Sequence, residues 1–261
     1  STRDMAQYLQ FLIGRGTFNN QQLISEASFT RMETPTTTLG AKAGTTAGYG
    51  LHNYVNGFEN TSVAFRGHDG HLVGGHCRLS YVPELGVGYV LLFNEDNLTA
   101  LEKIPHLIRA FLTKDIKRAA IVIKPLPEKL QGLEGYYMSI SPRSEMSRIG
   151  MQVLNVMHIT SSDNKLHRMP LLGGWEKPSN DYATGENTLA NDWSGLVTLA
   201  RVNDPLAGDV LEVSDAIGGD STLKKISAVR VFGFLGWIGL TLGFAAASIL
   251  FALVWSVRLA R

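Results

Sequence analysis

The sequence has little cysteine and no excess of charge of either sign. Cys77 is its only cysteine, which excludes an internal disulfide framework and a thiolate metal site. With 24 basic and 23 acidic residues the formal net charge is +1, so there is no bulk field to recruit nucleic acid. The composition argues against a nucleic-acid partner and indicates no function.

The N-terminus shows neither a signal peptide nor an initiator methionine. The chain begins at Ser1 with residues that favour a helix start, so we interpret it as a fragment or a processed product. Ser1 or Thr2 is expected to cap a first helix that buries Met5, Leu9 and Leu12 on one face. A second short helix is expected after Ser25.

The one long apolar run lies at the C-terminal end. Residues 231–257 contain no charged residue, and as a helix rising about 1.5 Å per residue they exceed the roughly 30 Å hydrocarbon core of a bilayer. They predict a membrane anchor in contact with lipid, with the soluble part on its N-terminal side. Gly239, Gly243 and Ala247 form a small-residue stripe that could meet another transmembrane helix, or the span simply tolerates glycine.

Flanking charge does not settle the membrane orientation. Lys224, Lys225 and Arg230 precede the apolar run, while Arg258 and Arg261 follow it. The positive-inside rule therefore gives only a mild preference for a cytoplasmic N-terminal side.

Alternating and apolar patterns predict an antiparallel sheet in residues 1–120. The predicted strands are 49–55, 62–66, 72–82 and 87–93, with a turn at Asn56-Gly57. Strand 87–93 is apolar on both faces and is expected to be central, with helices covering it. Asp96 is expected to cap the next helix, whose stripe of apolar residues would pack on the sheet: Leu101, Ile104, Ile108 and Phe111.

A second unit is predicted in residues 132–215, after a proline-containing linker. Its strand candidates are 136–140, 151–159, 166–171, 196–202 and 210–213, and residues 218–226 would carry the chain to the membrane. Trp175 and Trp193 are expected in its core or at its rim. The predicted fold is thus α+β: an antiparallel sheet flanked by helices, a small β-rich domain and a C-terminal transmembrane helix.

The densest polar cluster, at residues 67–76, allows three interpretations. As a metal site, it offers suitable ligands in His68, His71 and His76 with Asp69. Residues 71 and 76 lie five positions apart, however, and would point to opposite faces of one strand, so we predict no metal. The second interpretation is a plain strand-connecting turn.

The third interpretation rests on a resemblance that spans residues 1–112. In order along the chain, the matching pieces are Asp4-Met5-Ala6, Tyr49-Gly50-Leu51, Gly67-His68-Asp69-Gly70 with Gly74, Pro83-Glu84-Leu85-Gly86-Val87-Gly88, and Asn94. As a set they resemble the C-terminal half of the serine β-lactamase-related family, which includes class C β-lactamases, D-alanyl-D-alanine peptidases and related esterases. The resemblance also implies that the β-rich domain is barrel-like, with Pro142-Arg143 near its start.

The resemblance implies roles for three residues. His68-Asp69-Gly70 resembles the family's His-x-Gly triplet, in which His68 would hold the substrate and Gly70 would let its backbone come close. The backbone N–H of His71 would be an oxyanion-hole donor. No cofactor is implied, and the substrate would be a peptide, an ester or a β-lactam.

The nucleophile of that family precedes the matched region. The resemblance therefore implies a fragment of a membrane-anchored hydrolase that works through an acyl-enzyme and is inactive alone. Cell-wall-type substrates would place the soluble part outside the cytoplasm. The alternative is a non-catalytic, membrane-tethered binding or scaffold protein.

Overall fold

The computed structural model describes residues 1–118, 120–141, 144–148, 150, 155–172, 178–214 and 220–259. Its helices are α1 (Thr2–Ile13), α2 (Glu26–Glu33), α3 (Leu39–Ala43), α4 (Leu98–Leu112) and α5 (Ala228–Leu259). Its strands are β1 (Thr17–Phe18), β2 (Gln21–Gln22), β3 (Gly48–Tyr49), β4 (Tyr54–Gly57), β5 (Ala64–Leu72), β6 (Gly75–Val82), β7 (Val87–Phe93), β8 (Gly135–Ser139), β9 (Met157–Ser162), β10 (Lys165–Pro170), β11 (Ser179–Ala183), β12 (Thr188–Asn191), β13 (Val197–Asp204), β14 (Gly208–Ser214) and β15 (Asp220–Ile226).

Strands β3 to β7 form an antiparallel sheet in sequence order. On one face α1 packs against β6 and β7 and, with α2, buries Leu12, Phe29 and Tyr81. Ser1 caps α1 with a reciprocal bond to Asp4, and Ser25 caps α2, so both predicted helix starts are confirmed.

The sheet differs from its prediction at three places. Residues 56 and 57 do not turn but pair with Phe65 and Ala64 inside β4 and β5. The polar cluster after residue 66 continues β5 to Leu72 instead of forming a connection. Strand β7 lies at the edge of the sheet. The apolar residues of β7 are explained by helix α1, which packs on this strand, and not by a central place in the sheet.

Helix α4 also differs from its prediction. Asn97, not Asp96, accepts the capping hydrogen bond from Ala100. The buried residues of α4 are Pro105 and Arg109, while Ile104 and Phe111, members of the predicted stripe, are exposed. Periodicity located the helix but not its buried face.

Strands β8 to β15 form a closed antiparallel barrel of eight strands, in which β15 pairs with β8. The barrel interior is filled by side chains, among them Leu166, Leu189, Leu199, Leu211 and Leu223, which are at most 1% exposed. Burying each leucine stabilises the barrel by about 1.5–3 kcal/mol. The barrel is a packed core.

The predicted fold class is therefore wrong. The described chain is organised around a closed eight-stranded barrel with one C-terminal apolar helix, and not as a β-lactamase-like α+β domain with a small β-rich appendage. Three barrel strands escaped the prediction because they lack an apolar alternation: β11, β12 and β15. Residues 220–226, expected to lead to the membrane, are the strand that closes the barrel.

The sheet and the barrel are joined by direct contacts. The backbone N–H of Thr46 donates to the Val197 carbonyl at 2.9 Å, and Val197 donates back to the Thr46 hydroxyl at 3.1 Å. A Cβ added at Gly57 would lie 2.2 Å from the Cβ of Ser194, so glycine lets β4 approach the barrel closely. The boundaries at 120 and 132 stay a prediction.

Helix α5 is long and apolar enough over Ala228–Ser256 to cross a membrane. Most of its large apolar side chains between Phe232 and Trp255 are exposed, and Leu235 and Ile238 are partly buried. Near its start, the Phe232 ring meets Tyr136 of β8 at 5.6 Å between centroids. Residues 142–143, 151–154, 175 and 261, and the side chain of Arg258, lie outside the described part.

Candidate functional site

The hairpin of β5 and β6 carries all the predicted site residues. Strand β5 pairs with β4 only over residues 64–67, whereas its pairing with β6 runs from Arg66 to Leu72. Among the described residues, the segment 68–72 has backbone pairing on its β6 side only. The second half of β5 therefore presents an open strand edge.

His68 lies at the start of this open edge. Its Nε2 is 3.1 Å from the hydroxyl of Tyr49, and the centroids of the two rings are 5.9 Å apart. The ring of Tyr54 lies 6.3 Å from that of His68. The His68 side chain is exposed, so a ligand can reach its imidazole.

Asp69 connects this region to β6. Its carboxylate accepts hydrogen bonds from the Tyr54 hydroxyl at 2.7 Å and from the Arg78 guanidinium at 3.0 Å. Burial, and then the Asp69 carboxylate, raise the pKa of Tyr54 above its ordinary value, so its phenol stays protonated and donates. We call Tyr49, Tyr54, His68, Asp69 and Arg78 the His68 cluster.

A second group lies at the tip of the hairpin. His71 and His76 pair directly across β5 and β6, and their Nδ1 atoms are 2.7 Å apart. The Nε2 of His76 lies 2.6 Å from an Asp96 carboxylate oxygen. Hydrogen bonds from His76 and from the Gly74 backbone lower the pKa of Asp96. We call His71, His76 and Asp96 the tip cluster.

His71 and His76 do not lie on one continuous strand, as the prediction of opposite faces requires. A turn at Val73-Gly74 separates them instead, so they face each other. His68 contacts Tyr49, and Asp69 is paired with Tyr54 and Arg78. The four predicted ligand residues therefore do not form a single site.

The three predicted site residues are separated as well. His68 belongs to the His68 cluster, and the His71 side chain belongs to the tip cluster. Gly70 pairs with Cys77, and a Cβ at residue 70 would lie 2.6 Å from the Cys77 sulfur. Gly70 thus leaves room for a neighbouring side chain, and its role toward a substrate stays a prediction.

Sequence reasoning missed Tyr49, Tyr54, Arg78 and Asp96 as members of the two clusters. The pairing of residues 69 and 78 follows once a hairpin turn is placed at Gly74, so a better turn assignment would have found Arg78. Asp96 was assigned to helix capping, a role that Asn97 performs. Tyr49 and Tyr54 lie in a predicted strand, and Tyr49 also belongs to one of the pieces that carry the resemblance, but nothing in the sequence pairs either residue with His68 or Asp69.

Comparison with known proteins identifies no family. No family model matches the sequence, and no curated protein matches it. The crystal structure of SurE is 18% identical with a TM-score of 0.36, covering 84% of this chain and 46% of that one. The octameric penicillin-binding protein homologue from Pyrococcus abyssi is 16% identical with a TM-score of 0.33, covering 86% and 46%.

These likenesses are too low to carry an argument about fold or function. The chain spans under half the length of either structure. Since no family model matches and the fold is organised around a closed eight-stranded barrel, the predicted membership of the serine β-lactamase-related family is wrong.

Proposed function

We propose that this chain is a membrane-anchored protein that binds an extended, peptide-like ligand along the open edge of β5. The observation that carries the proposal is the extension of β5 to Leu72, beyond the last residue that pairs with β4, Gly67. A ligand in strand conformation satisfies such an edge by adding its own backbone hydrogen bonds.

The His68 cluster gives this edge chemical character. Exposed His68 and its partner Tyr49 lie where the edge begins, and Arg78 and Asp69 lie one residue further on. An imidazole can bind a ligand carbonyl or carboxylate by donating a hydrogen bond. At the other end, Leu72 is 78% exposed and offers an apolar contact.

The pair formed by His68 and Tyr49 favours hydrolysis of a ligand carbonyl as a second candidate function. A histidine imidazole within hydrogen-bond reach of a hydroxyl has the chemistry of a general acid or base. In hydrolysis through an acyl-enzyme, a hydroxyl oxygen first replaces the leaving group on the carbonyl carbon, and its proton passes through a base to that group. Water then replaces the hydroxyl oxygen on the same carbon, which releases the acid, and a proton from the water returns through the base to the hydroxyl oxygen. The Tyr54 phenol is unsuited as this nucleophile, because its pKa is raised.

Binding is tested with the full chain in lipid nanodiscs against a pool of random hexapeptides. We expect peptides that bind wild type to lose affinity at least tenfold with His68→Ala and less with Tyr49→Phe. His106→Ala is the matched control, since His106 is also an exposed histidine but lies on α4, where its Nε2 is 3.4 Å from the Glu59 carboxylate. Equal binding by His68→Ala and wild type would reject the proposal.

The ligand's own backbone provides a second test. When a ligand adds as a strand, alternate amides bond to β5. We therefore expect N-methylation of one alternating set of peptide amides to abolish binding and methylation of the other set to be tolerated. Uniform sensitivity along the peptide would contradict strand addition.

Hydrolysis is tested separately, with a fluorescent serine-reactive phosphonate applied to native membranes. We then isolate this chain with whatever is bound to it and look for labelled protein. Labelling that is reduced by His68→Ala and retained by His106→Ala supports a hydrolase. No labelling, in membranes where the hexapeptide still binds, favours the non-catalytic binding protein.

We propose that helix α5, which is long and apolar enough to span a membrane, anchors this function at the cell membrane, in contact with lipid. We propose that the sheet and barrel lie on the extracytoplasmic side, where a peptide ligand would be met, against the mild preference of the flanking charges. Gly239 and Gly243 have open space around them, so a partner helix could pack there. Fluorescence energy transfer between labelled copies of the chain measures self-association through Gly239, Gly243 and Ala247. If Gly243→Leu leaves the energy transfer unchanged, the copies do not associate through these residues.

A further inference from the structure

The proposed peptide site uses the backbone of His71 but not the side chains of the tip cluster, and these bring three metal-binding groups together. One donor atom from each of His71, His76 and Asp96 lies within 4.8 Å of the others. The residues come from three places in the chain: the end of β5, the start of β6 and the turn after β7. Two imidazoles and a carboxylate at this spacing are side chains that commonly bind transition metals.

The hydrogen bonds show which donor atoms are available. Asp96 lies 2.6 Å from Nε2 of His76 and also accepts from the Gly74 backbone at 3.2 Å. A carboxylate on Nε2 keeps the proton there and leaves Nδ1 of His76 with its lone pair. That lone pair points at Nδ1 of His71, 2.7 Å away, which holds the shared proton in the absence of metal.

We infer that the tip cluster binds one divalent cation of the zinc, copper and nickel class between the Nδ1 atoms of His71 and His76. Neutral imidazole suits these ions, and water completes their coordination. Asp96 does not touch the ion but orients His76 through Nε2, as carboxylates do behind metal-bound histidines. When the ion binds, the proton between the two Nδ1 atoms leaves Nδ1 of His71, and His71 becomes the neutral tautomer that carries its proton on Nε2.

The geometry needs one small adjustment. Two imidazole nitrogens at about 2.0–2.1 Å from a tetrahedral ion are separated by roughly 3.3 Å, compared with 2.7 Å here. His76 is buried and held by Asp96, whereas His71 is exposed. Rotation of the His71 ring supplies the difference, and neighbouring Val73, 96% exposed, leaves the tip open to an ion.

Neither residue 68 nor residue 69 belongs to this site. His68 is bonded to Tyr49, and Asp69 is committed to Tyr54 and Arg78. The site therefore differs from the four-residue ligand set suggested by the sequence, and it stands independently of the proposed peptide binding.

Zinc binding to the full chain, free of a histidine tag and held in nanodiscs, tests the inference. In competition with a chromophoric chelator, we expect one Zn²⁺ per chain and at least a tenfold loss of affinity for His71→Ala and for His76→Ala. Asp96→Asn should lose about tenfold, while His68→Ala and His106→Ala bind as wild type. No stoichiometric binding, or equal loss in the His106→Ala control, overturns the inference.

Nitrogen NMR of the histidine rings gives a second readout that does not depend on a variant folding. On adding Zn²⁺ to wild type, we expect the Nδ1 signals of His71 and His76 to shift as ligands while Nε2 of His76 remains protonated. Coordination through Nε2, or shifts spread over the other exposed histidines, would contradict the assigned site.

Discussion

The guanidinium carbon of Arg109 lies 4.6 Å from the centre of the Phe65 ring, with α4 above and β5 below. The same guanidinium donates to the hydroxyl of Tyr89 at 3.0 Å, to the side-chain oxygen of Asn56 at 3.2 Å and to the hydroxyl of Ser80 at 3.1 Å. One buried cation thus fixes α4 to four strands of the sheet, through hydrogen bonds to β4, β6 and β7 and a ring contact with β5.

Replacing this cation should be costly. Arg109→Met removes three hydrogen bonds and leaves their acceptors buried, so we expect a loss of about 3 kcal/mol in the free energy of unfolding. Urea denaturation in detergent micelles measures it. Arg3→Met, at an exposed site on α1, should change stability by less than about 0.5 kcal/mol. A similar loss of unfolding free energy in the two variants would show that Arg109 does not stabilise the packing of α4 on the sheet.

Gly70 and Cys77 should show strong coupling. Gly70→Ala places a Cβ 2.6 Å from the Cys77 sulfur, which must move aside, and we expect a loss of about 1 kcal/mol in the free energy of unfolding. In a Cys77→Ala background the same substitution should cost less than half as much. A double-mutant cycle measures the difference. An equal penalty in both backgrounds would mean that the sulfur is not the obstacle.

Tyr81 should make stability depend on alkaline pH. Burial, and then the Glu33 carboxylate that accepts its hydrogen bond at 2.8 Å, raise the pKa of Tyr81 above its ordinary value. Since the folded pKa is the higher one, this contribution is fully present below about pH 10, where the unfolded phenol is neutral, and is lost as pH rises further.

Unfolding free energies of wild type and Tyr81→Phe between about pH 8 and pH 11 test this. The variant should be less stable at pH 8, because Glu33 loses a partner, but its stability should fall less steeply with pH. The stability of the variant should still fall partly with pH, because the pKa values of buried Tyr54 and Tyr137 are also raised. Identical slopes would contradict the assignment.

Cys77 reports on membrane orientation. It is the only cysteine in the chain, and it is exposed. We expect a membrane-impermeant maleimide to label wild type in intact cells, and Cys77→Ala to be unlabelled. Labelling that appears only after the cells are opened would place the sheet and barrel in the cytoplasm and reverse the proposed orientation.

The sequence was informative where local chemistry decides structure. Ser1 and Ser25 carry the side chains that cap helices, and the uncharged run at 231–257 needs only its length to suggest a membrane span. Closure of the barrel was not predictable in the same way. It depends on the pairing of Leu223 with Ser139, which lies 84 positions earlier in the chain. In addition, apolar and polar residues alternate too weakly in Asp220–Ile226 to predict a strand there.

The two clusters also combine a local feature that the sequence shows with contacts that it does not. The sequence alone shows that residues 67–76 are rich in polar side chains, but the grouping of these side chains depends on one turn at Gly74. Once that turn pairs β5 with β6, His71 faces His76, and Asp96 reaches them from the end of β7. Such long-range contacts leave no pattern in a single sequence.

Residue-resolved hydrogen exchange at 68–72 tests the central claim, binding along the open edge of β5, most directly. The full chain in nanodiscs is compared with and without a selected hexapeptide. Amides that face the open edge should exchange at least tenfold more slowly with peptide bound, while those already bonded to β6 stay unchanged. Unchanged exchange throughout 68–72, with the peptide bound, would contradict the claim.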